Sequence, residues 1–339
     1  MVTTFRHGVR ELRRESRERA FGLGRDAQAR WYAAQGNGEC AILAHAQAIR
    51  FARAYRESAR AYRRLDALLR RFGDCDTGLA ATADTPARFV GFVGYSRSGH
   101  SLVGSLLDAH PDAVIAHEVH AFKHLARGVP FDRVVRALQQ NARIFQIMGR
   151  NYTGYDYAIP DQWQGTARHL TVVGDKKGNG TARLLRCDPG ALARIRARIP
   201  VPIHFIHVIR NPYDNIATKA LRTGRSLDRA AAVYFANARE IGTLKARGDV
   251  AVHDLHLDRI IAEPRGELTR LLDALGLDTE VPGYLDACAE ILFSAPNRTR
   301  DRVVWPAPLV AHIERELAAR PFTRPYAGHP PTPANLKSA

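Results

Sequence analysis

The chain has 339 residues, of which 45% are hydrophobic, and this is enough to bury the core of one large α/β domain. Its formal net charge is +16, and only six of its 50 basic residues are lysine. No run of about 18 or more apolar residues occurs and no apolar leader is evident, so we expect no transmembrane segment and a cytoplasmic protein.

The cysteines and the charge restrict the class of protein further. The four cysteines are far apart and none form a CxxC pair, so we expect buried or free thiols in a reducing compartment and no zinc site. The excess of arginine is compatible with a solvated surface, and also with a nucleic-acid or other polyanionic partner. The four cysteines are Cys40, Cys75, Cys187 and Cys288.

Residues 5–72 are predicted to be helical and basic. Apolar residues between 51 and 72 recur at helical spacing, and residues 1–72 contain 16 arginines against 7 acidic residues. This pattern has two interpretations. It is typical of a helical hairpin with a solvated outer face, and also of a lid or docking arm for an acidic partner. We expect residues 1–84 to form this arm and a linker.

The stretch after the linker combines a strand, a turn and a helix. The apolar run in 88–93 predicts a buried strand, and the turn 94–99 is rich in glycine and serine. Leucine and valine then recur at helical spacing until Pro111. A loop between a strand and a helix N-terminus presents unpaired amides and a favourable dipole to an anion, so this unit predicts a phosphate site.

Further strands alternate with helices along the rest of the chain. This alternation predicts a P-loop-like, doubly wound, mostly parallel sheet flanked by helices over residues 85–328, with ligands at the carboxyl ends of the strands. An aromatic loop at 149–168 either lines a pocket or serves packing, and the proline-rich residues 329–339 are expected to be disordered. The predicted strands are 113–116, 170–173, 203–209 and 250–255, and predicted helices include 131–148 and 263–275.

The loop departs from a Walker A sequence at one position. Residues 94–101 have the spacing G-x-x-x-x-G-x-S, but His100 stands where a nucleoside triphosphatase has its lysine. Arg210 follows the strand at 203–209, where a magnesium-binding aspartate would be expected. We therefore expect a phosphate held without a metal, with Arg97 supplying charge. A P-loop kinase or NTPase with a degenerate loop and a basic nucleic-acid-binding protein are the alternatives.

Two further segments make this pattern specific. Residues 95–101, followed by 106–111 and Glu118, resemble the phosphosulfate loop of the sulfotransferases that use 3′-phosphoadenosine-5′-phosphosulfate. Arg210 with Thr218 eight positions later resembles the second signature of that family, which holds the 3′-phosphate and usually has serine at the second position. Residues 297–306 are similar to a late cofactor-binding segment. The resemblance covers about residues 88–310 and is closest to the tyrosylprotein and carbohydrate branches.

The resemblance implies transfer of a sulfuryl group to a hydroxyl of a small-molecule, carbohydrate, lipid or peptide acceptor, with adenosine 3′,5′-bisphosphate as the second product and no metal requirement. It implies no nucleic-acid partner, and it leaves the oligomeric state open. The residues that it assigns to the cofactor are Arg97, Ser98, Gly99, His100, Ser101, Arg210, Thr218, Arg298 and Thr299.

The resemblance also assigns catalytic roles. Glu118 matches the family base and can accept the hydroxyl proton if burial raises its pKa, while His117 and His120 are neighbouring alternatives. Lys176 aligns with a lysine that contacts the sulfuryl and leaving oxygens, and Lys177 is the alternative. Arg97 is expected to contribute to catalysis as well.

Several other side chains carry weaker signals. His120 and His124 have the spacing of a metal pair, but no third ligand can be assigned. His204 and His207 lie in a predicted strand and are expected to point at hydrogen-bonding partners. Tyr234 either stacks on adenine or belongs to the core.

Overall fold

The computed structural model describes residues 27, 29–30, 33–36, 85–147, 150–152, 155–331 and 336–337. The chain divides into two units, Met1–Thr82 and Ala83–Ala339, and the second is described below. The predictions made for the basic arm and the linker fall almost entirely outside the described residues. None of the helices in the described part is long and apolar enough to cross a membrane.

The second unit contains nine strands, counted within the described residues. Five of them form the central sheet, two form a hairpin and two form a short peripheral pair. Their bounds are β1 Arg88–Gly94, β2 Ala113–Ala116, β3 Asn151–Tyr152, β4 Tyr155–Asp156, β5 Val172–Asp175, β6 Ile203–Ile209, β7 Ala251–His256, β8 Trp305–Pro306 and β9 Leu336–Lys337.

Helices connect and cover these strands. Two 3₁₀-helices, Thr299–Arg302 and Arg324–Tyr326, occur near the end of the described chain. The α-helices of this unit are α1 His100–Asp108, α2 Ala121–Ala126, α3 Phe131–Ile147, α4 Gly178–Cys187, α5 Ala191–Arg196, α6 Pro212–Thr223, α7 Leu227–Ala246, α8 Leu257–Ala262, α9 Pro264–Leu275, α10 Tyr284–Glu290 and α11 Ala307–Ala318.

The central sheet has the strand order β2-β5-β1-β6-β7, and every strand pair in it is parallel. From β1 the chain first builds β2 and β5 on one side and then β6 and β7 on the other. The carboxyl end of β1 is therefore the switch point at which ligands of doubly wound sheets bind. The predicted α/β fold is confirmed.

Burial on both faces explains the continuous apolar runs of the strands. Phe89 and Val93 of β1 pack into one hydrophobic cluster, and Val90 and Phe92 pack into another. Strand side chains alternate between the two faces, so each face requires its own layer of helices. The Phe122 ring packs directly on the backbone of Gly91, and a Cβ at this position would lie 2.0 Å from the ring.

A buried ion pair fastens the aromatic loop to the far end of α1. Arg150 Nη2 lies 2.6 Å from Asp108 Oδ2, and both side chains are almost completely buried. Asp108 also accepts the amides of Ile115 and Gly165 at 2.7 Å and 3.0 Å. The Gln164 side chain donates to the carbonyl of Ser105 at 3.1 Å. The loop is thus anchored by polar groups.

Two boundaries differ from the sequence-based expectation. The strand expected at 170–173 begins at Val172, because the Thr171 amide bonds back to the Asp112 and His169 carbonyls, and it continues to Asp175. In the tail expected to be disordered, Leu336–Lys337 pairs with Trp305–Pro306. The other predicted strands and the helices at 131–148 and 263–275 are confirmed within two residues.

Candidate active site

The loop between β1 and α1, which is predicted to bind phosphate and which we call the phosphate loop, is held in a strained conformation by helix α6. Arg97 and Gly99 both have positive φ, 73° and 97°. The Asn215 amide of α6 donates to the Ser96 carbonyl at 3.0 Å and to Ser98 Oγ at 2.9 Å. Ser98 is completely buried. The buried Ser98 hydroxyl therefore helps to fix the conformation of the loop.

His100 occupies the space beneath this loop. Its Nε2 would lie 2.8 Å from a Cβ on Gly94, and its Cε1 would lie 2.4 Å from a Cβ on Gly178, so two glycines make room for the ring. Burial, with smaller effects of Lys176 and His207, lowers the pKa of His100 to about 3. The ring is neutral at physiological pH. In the position of the Walker lysine there is consequently no cation, as the sequence indicated.

Arg210 gathers three distant segments around its guanidinium. Its Nη1 donates to the Arg97 carbonyl at 3.3 Å and to Thr218 Oγ1 at 3.1 Å. Its Nη2 donates to the Asn297 carbonyl at 2.7 Å and to Thr299 Oγ1 at 3.1 Å. We call Arg210, Thr218 and Thr299 the arginine cluster. The structure thus brings together three of the predicted cofactor residues.

Arg298 is placed differently from its predicted neighbours. Its side chain is exposed, and its Nε donates to Asp301 Oδ2 at 2.9 Å. The residue that anchors this segment is Asp214, a buried carboxylate that accepts the amide of Arg300 at 2.8 Å. Sequence reasoning missed Asp214, although its place in the first turn of α6, beside Arg210, was a usable signal.

Glu118 lies between the two lysines that directly follow β5. Its Oε1 accepts from Lys176 Nζ at 3.2 Å, and its Oε2 accepts from Lys177 Nζ at 2.7 Å. Lys176 Nζ also donates to Ser101 Oγ at 2.9 Å and lies 3.5 Å from His117 Nε2. The structure therefore brings together Glu118, Ser101 and both candidate lysines.

The electrostatics of this cluster bear on the role of Glu118 as a base. Burial alone would raise the pKa of Glu118, but Lys176 and then Lys177 outweigh it and hold this pKa well below its usual range. The condition set for Glu118 as a base, a pKa raised by burial, is therefore not met in this arrangement. Burial lowers the pKa of Lys176, and the Glu118 charge opposes that change. A carboxylate held by two ammonium groups is ionised but only weakly basic.

The backbone around Glu118 is unusual. Glu118 and His120 both adopt left-handed conformations, with φ of 63° and 65°. The Asp175 carboxylate accepts the amide of Val119 at 2.9 Å and that of Ala121 at 2.8 Å. Sequence analysis did not single out Asp175, which directly precedes the two lysines.

The two alternative bases have their own environments. The His117 ring stacks on Phe145 with centroids 4.1 Å apart, and its amide donates to Asn141 Oδ1 at 2.7 Å. Burial and the Lys177 charge lower the pKa of His120 to about 3. Among the described residues there is no group of three or more His, Cys, Asp or Glu side chains that could hold a metal ion.

Other candidates belong to the core. Tyr234 stacks on Tyr95 at 3.8 Å and is almost completely buried, so it is a core residue and not an adenine platform. The expected hydrogen bonds of the strand histidines are confirmed. His207 Nδ1 lies 2.8 Å from Asp254 Oδ1, and a bond of 3.1 Å joins His204 and His253.

Comparison with known proteins places this arrangement in context. A family model described as "Sulfotransferase family" matches residues 90–281. A search of curated proteins finds no match. Among solved structures, the chain is similar to the sulfotransferase domain of the Synechococcus PCC 7002 olefin synthase, with 20% identity and a TM-score of 0.40 over 60% of this chain and 78% of that one.

Two other solved structures have comparable similarity. A sulfotransferase from Alicyclobacillus acidocaldarius is 17% identical, with a TM-score of 0.38 over 74% of this chain and 98% of that one. The mouse sulfotransferase SULT7A1, crystallised with PAP, is 14% identical, with a TM-score of 0.34 over 62% of this chain and 67% of that one.

Proposed function

We propose that this chain, which belongs to the sulfotransferase family, moves a sulfuryl group from 3′-phosphoadenosine-5′-phosphosulfate to a hydroxyl group of an acceptor. The family uses this donor. The observation that carries the proposal is the pairing of two sites at the carboxyl edge of the sheet, the arginine cluster and the Glu118–Lys176 pair. The phosphate loop connects them.

The arginine cluster is suited to the 3′-phosphate of the donor. Among the described residues the Arg210 guanidinium donates four hydrogen bonds, all to neutral oxygens, so none of these bonds pairs its charge with a carboxylate. The hydroxyls of Thr218 and Thr299 can turn to donate to the same phosphate. Burial lowers the pKa of Arg210, with Asp214 opposing, and strengthens its attraction to a charged ligand.

The opposite end of the loop is suited to the phosphosulfate. The loop amides and the N-terminus of α1 face an anion, and Lys176 can stabilise the charge that develops on the bridging oxygen. Transfer of this kind depends mainly on positioning and electrostatics. We assign five residues to the phosphosulfate, of which His100 would contribute its backbone: Arg97, Ser98, Gly99, His100 and Ser101.

Glu118 is our proposed base. The acceptor oxygen attacks the sulfur, the bond from sulfur to the 5′-phosphate oxygen breaks, and Glu118 takes the hydroxyl proton. The products are a sulfate ester and adenosine 3′,5′-bisphosphate. Donor binding draws Lys176 toward the phosphosulfate, which weakens its ion pair with Glu118 and makes the carboxylate more basic.

Calorimetry tests the donor. Adenosine 3′,5′-bisphosphate should bind, and ATP with magnesium should bind much more weakly. Arg210→Ala should abolish most of the affinity, whereas Arg222→Ala, on the exposed face of the same helix, should not. Preference for ATP with magnesium would favour the kinase alternative. Nucleic-acid binding that survives Arg97→Ala would favour the nucleic-acid alternative.

A transfer assay tests the reaction and the base. The donor, labelled with ³⁵S, is offered a phenol, an aliphatic alcohol, an oligosaccharide and a tyrosine peptide, and the labelled product identifies the acceptor class. Glu118→Gln should bind adenosine 3′,5′-bisphosphate normally and lose turnover, and His117→Gln and His120→Gln should retain it. Wild-type turnover of Glu118→Gln would remove Glu118 as the base.

A further inference from the structure

We propose that Asp175 is a positioning residue that keeps Glu118 in place by accepting two backbone amides of the left-handed turn, those of Val119 and Ala121. This inference rests on the role proposed for Glu118. Asp175 does not touch the reacting atoms, and it acts through the turn at residues 118–121, which we call the Glu118 turn.

The contacts are specific and deeply buried. Asp175 ends β5 and is only 2% exposed. Each carboxylate oxygen accepts one amide, Oδ1 from Val119 at 2.9 Å and Oδ2 from Ala121 at 2.8 Å. A buried carboxylate needs such partners, and amide donors to an ionised acceptor form strong hydrogen bonds.

The Glu118 turn needs an external support of this kind. Glu118 and His120 have φ values of 63° and 65°, a conformation that side chains with a Cβ adopt at a cost. Such strain persists only where the surroundings impose it. The amides that Asp175 binds belong to the residues that directly follow the two strained positions, so the carboxylate fixes both peptide groups at once.

Residues 175–177 hold both the backbone of the Glu118 turn and the Glu118 side chain. Asp175 binds the backbone of the Glu118 turn, while Lys176 and Lys177 bind the Glu118 side chain at 3.2 Å and 2.7 Å. When the amide contacts are lost, the turn relaxes toward ordinary φ values and the carboxylate leaves its position beside Lys176. Catalysis is sensitive to such displacements of a reacting group.

Asp175→Asn isolates this contact because it preserves the shape of the side chain. The amide has one acceptor oxygen, so one of the two backbone donors faces an NH₂ group and loses its partner. Asp112→Asn is the matched control, because Asp112 lies beside the amino end of the neighbouring strand β2 and pairs with Arg168 at 2.9 Å.

We expect Asp175→Asn to lower kcat by roughly tenfold or more, with the affinity for adenosine 3′,5′-bisphosphate within about twofold of wild type. Hydrogen exchange at the Val119 and Ala121 amides should accelerate. Added to Glu118→Gln, the substitution should cause no further loss of kcat, because both act through one carboxylate. The control should change none of these quantities. An unchanged kcat or unchanged exchange would refute the proposal.

A measurement on the wild-type enzyme covers the case in which Asp175→Asn does not fold. The amide proton shifts of Val119 and Ala121 are followed by NMR against the titration of the Asp175 carboxyl carbon, and all three should share one apparent pKa. Amide shifts that do not follow the carboxyl would overturn the inference. If Glu118→Gln instead retains turnover, the proposed base is wrong, while the NMR titration still decides the Asp175 contact.

Discussion

Replacing His100 by glutamine should reduce the loss of stability that the protein suffers on acidification. The pKa of His100 is lowered from 6.5 to about 3 by burial beneath the phosphate loop. Below pH 6.5 the unfolded chain takes up a proton at this ring and the folded chain does not. Folding stability therefore falls as the pH drops from 6.5 toward 3.

The size of the effect follows from the two pKa values. At about pH 5, protonation of this one ring in the unfolded state lowers the free energy of unfolding by about 2 kcal/mol. At about pH 7.5 the same ring lowers the free energy of unfolding by almost nothing. Glutamine carries no proton at either pH, and the other buried histidines are common to both proteins. The difference between variant and wild type hence isolates His100.

Urea unfolding at the two pH values measures this difference. The variant should lose about 2 kcal/mol less than the wild type between about pH 7.5 and about pH 5. His169→Gln, which removes an exposed histidine, serves as the control and should follow the wild type. Equal losses in His100→Gln and wild type would show that His100 titrates normally and does not lie buried beneath the loop.

Three further predictions follow from contacts in the structure. Arg210→Lys keeps the positive charge, but a lysine cannot reach all four oxygens, so calorimetry should show about tenfold or greater loss of affinity for adenosine 3′,5′-bisphosphate. An affinity equal to that of the wild type would contradict the proposed role of the arginine cluster. Gly104→Ala places a Cβ 2.9 Å from Lys176 Cγ and should displace this lysine, so turnover should fall about tenfold while the melting temperature stays unchanged. Normal turnover would argue against the packing of Lys176 on Gly104. Asp108→Asn leaves the Arg150 charge buried without its ionised partner and should cost about 3 kcal/mol in urea unfolding, whereas a loss below about 1 kcal/mol would argue against a buried pair.

The sequence was sufficient where a signal is local. The strand, loop and helix at residues 88–108 follow from an apolar run, glycines and helical spacing, and the structure has them as expected. Arg210 lies before the first residue of α6, so helical spacing does not bring it to Thr218, and this pair was predicted from the resemblance. Thr299 was reached by resemblance, because no local pattern brings it to Arg210 across 89 positions.

The parts that escaped prediction depend on contacts between distant segments. The pKa of Glu118 is lowered, although burial alone would raise it, because two ammonium groups, 58 and 59 positions along the chain, outweigh burial. Asp175 carried no sequence signal because its partners are backbone amides, which every residue type provides. Arg298 is exposed and pairs with Asp301, a neighbour that the resemblance did not include.

The arginine cluster has a consequence for the order in which a newly made chain becomes competent. The last strand of the central sheet ends at His256, but the partners of Arg210 include the Asn297 carbonyl and the Thr299 hydroxyl. A nascent chain that has just released β7 from the ribosome therefore has every strand of that sheet, while Arg210 still lacks its partners Asn297 and Thr299. If the cluster holds the 3′-phosphate as proposed, nucleotide binding has to wait until the 3₁₀-helix at Thr299–Arg302 emerges and the Arg300 amide bonds Asp214.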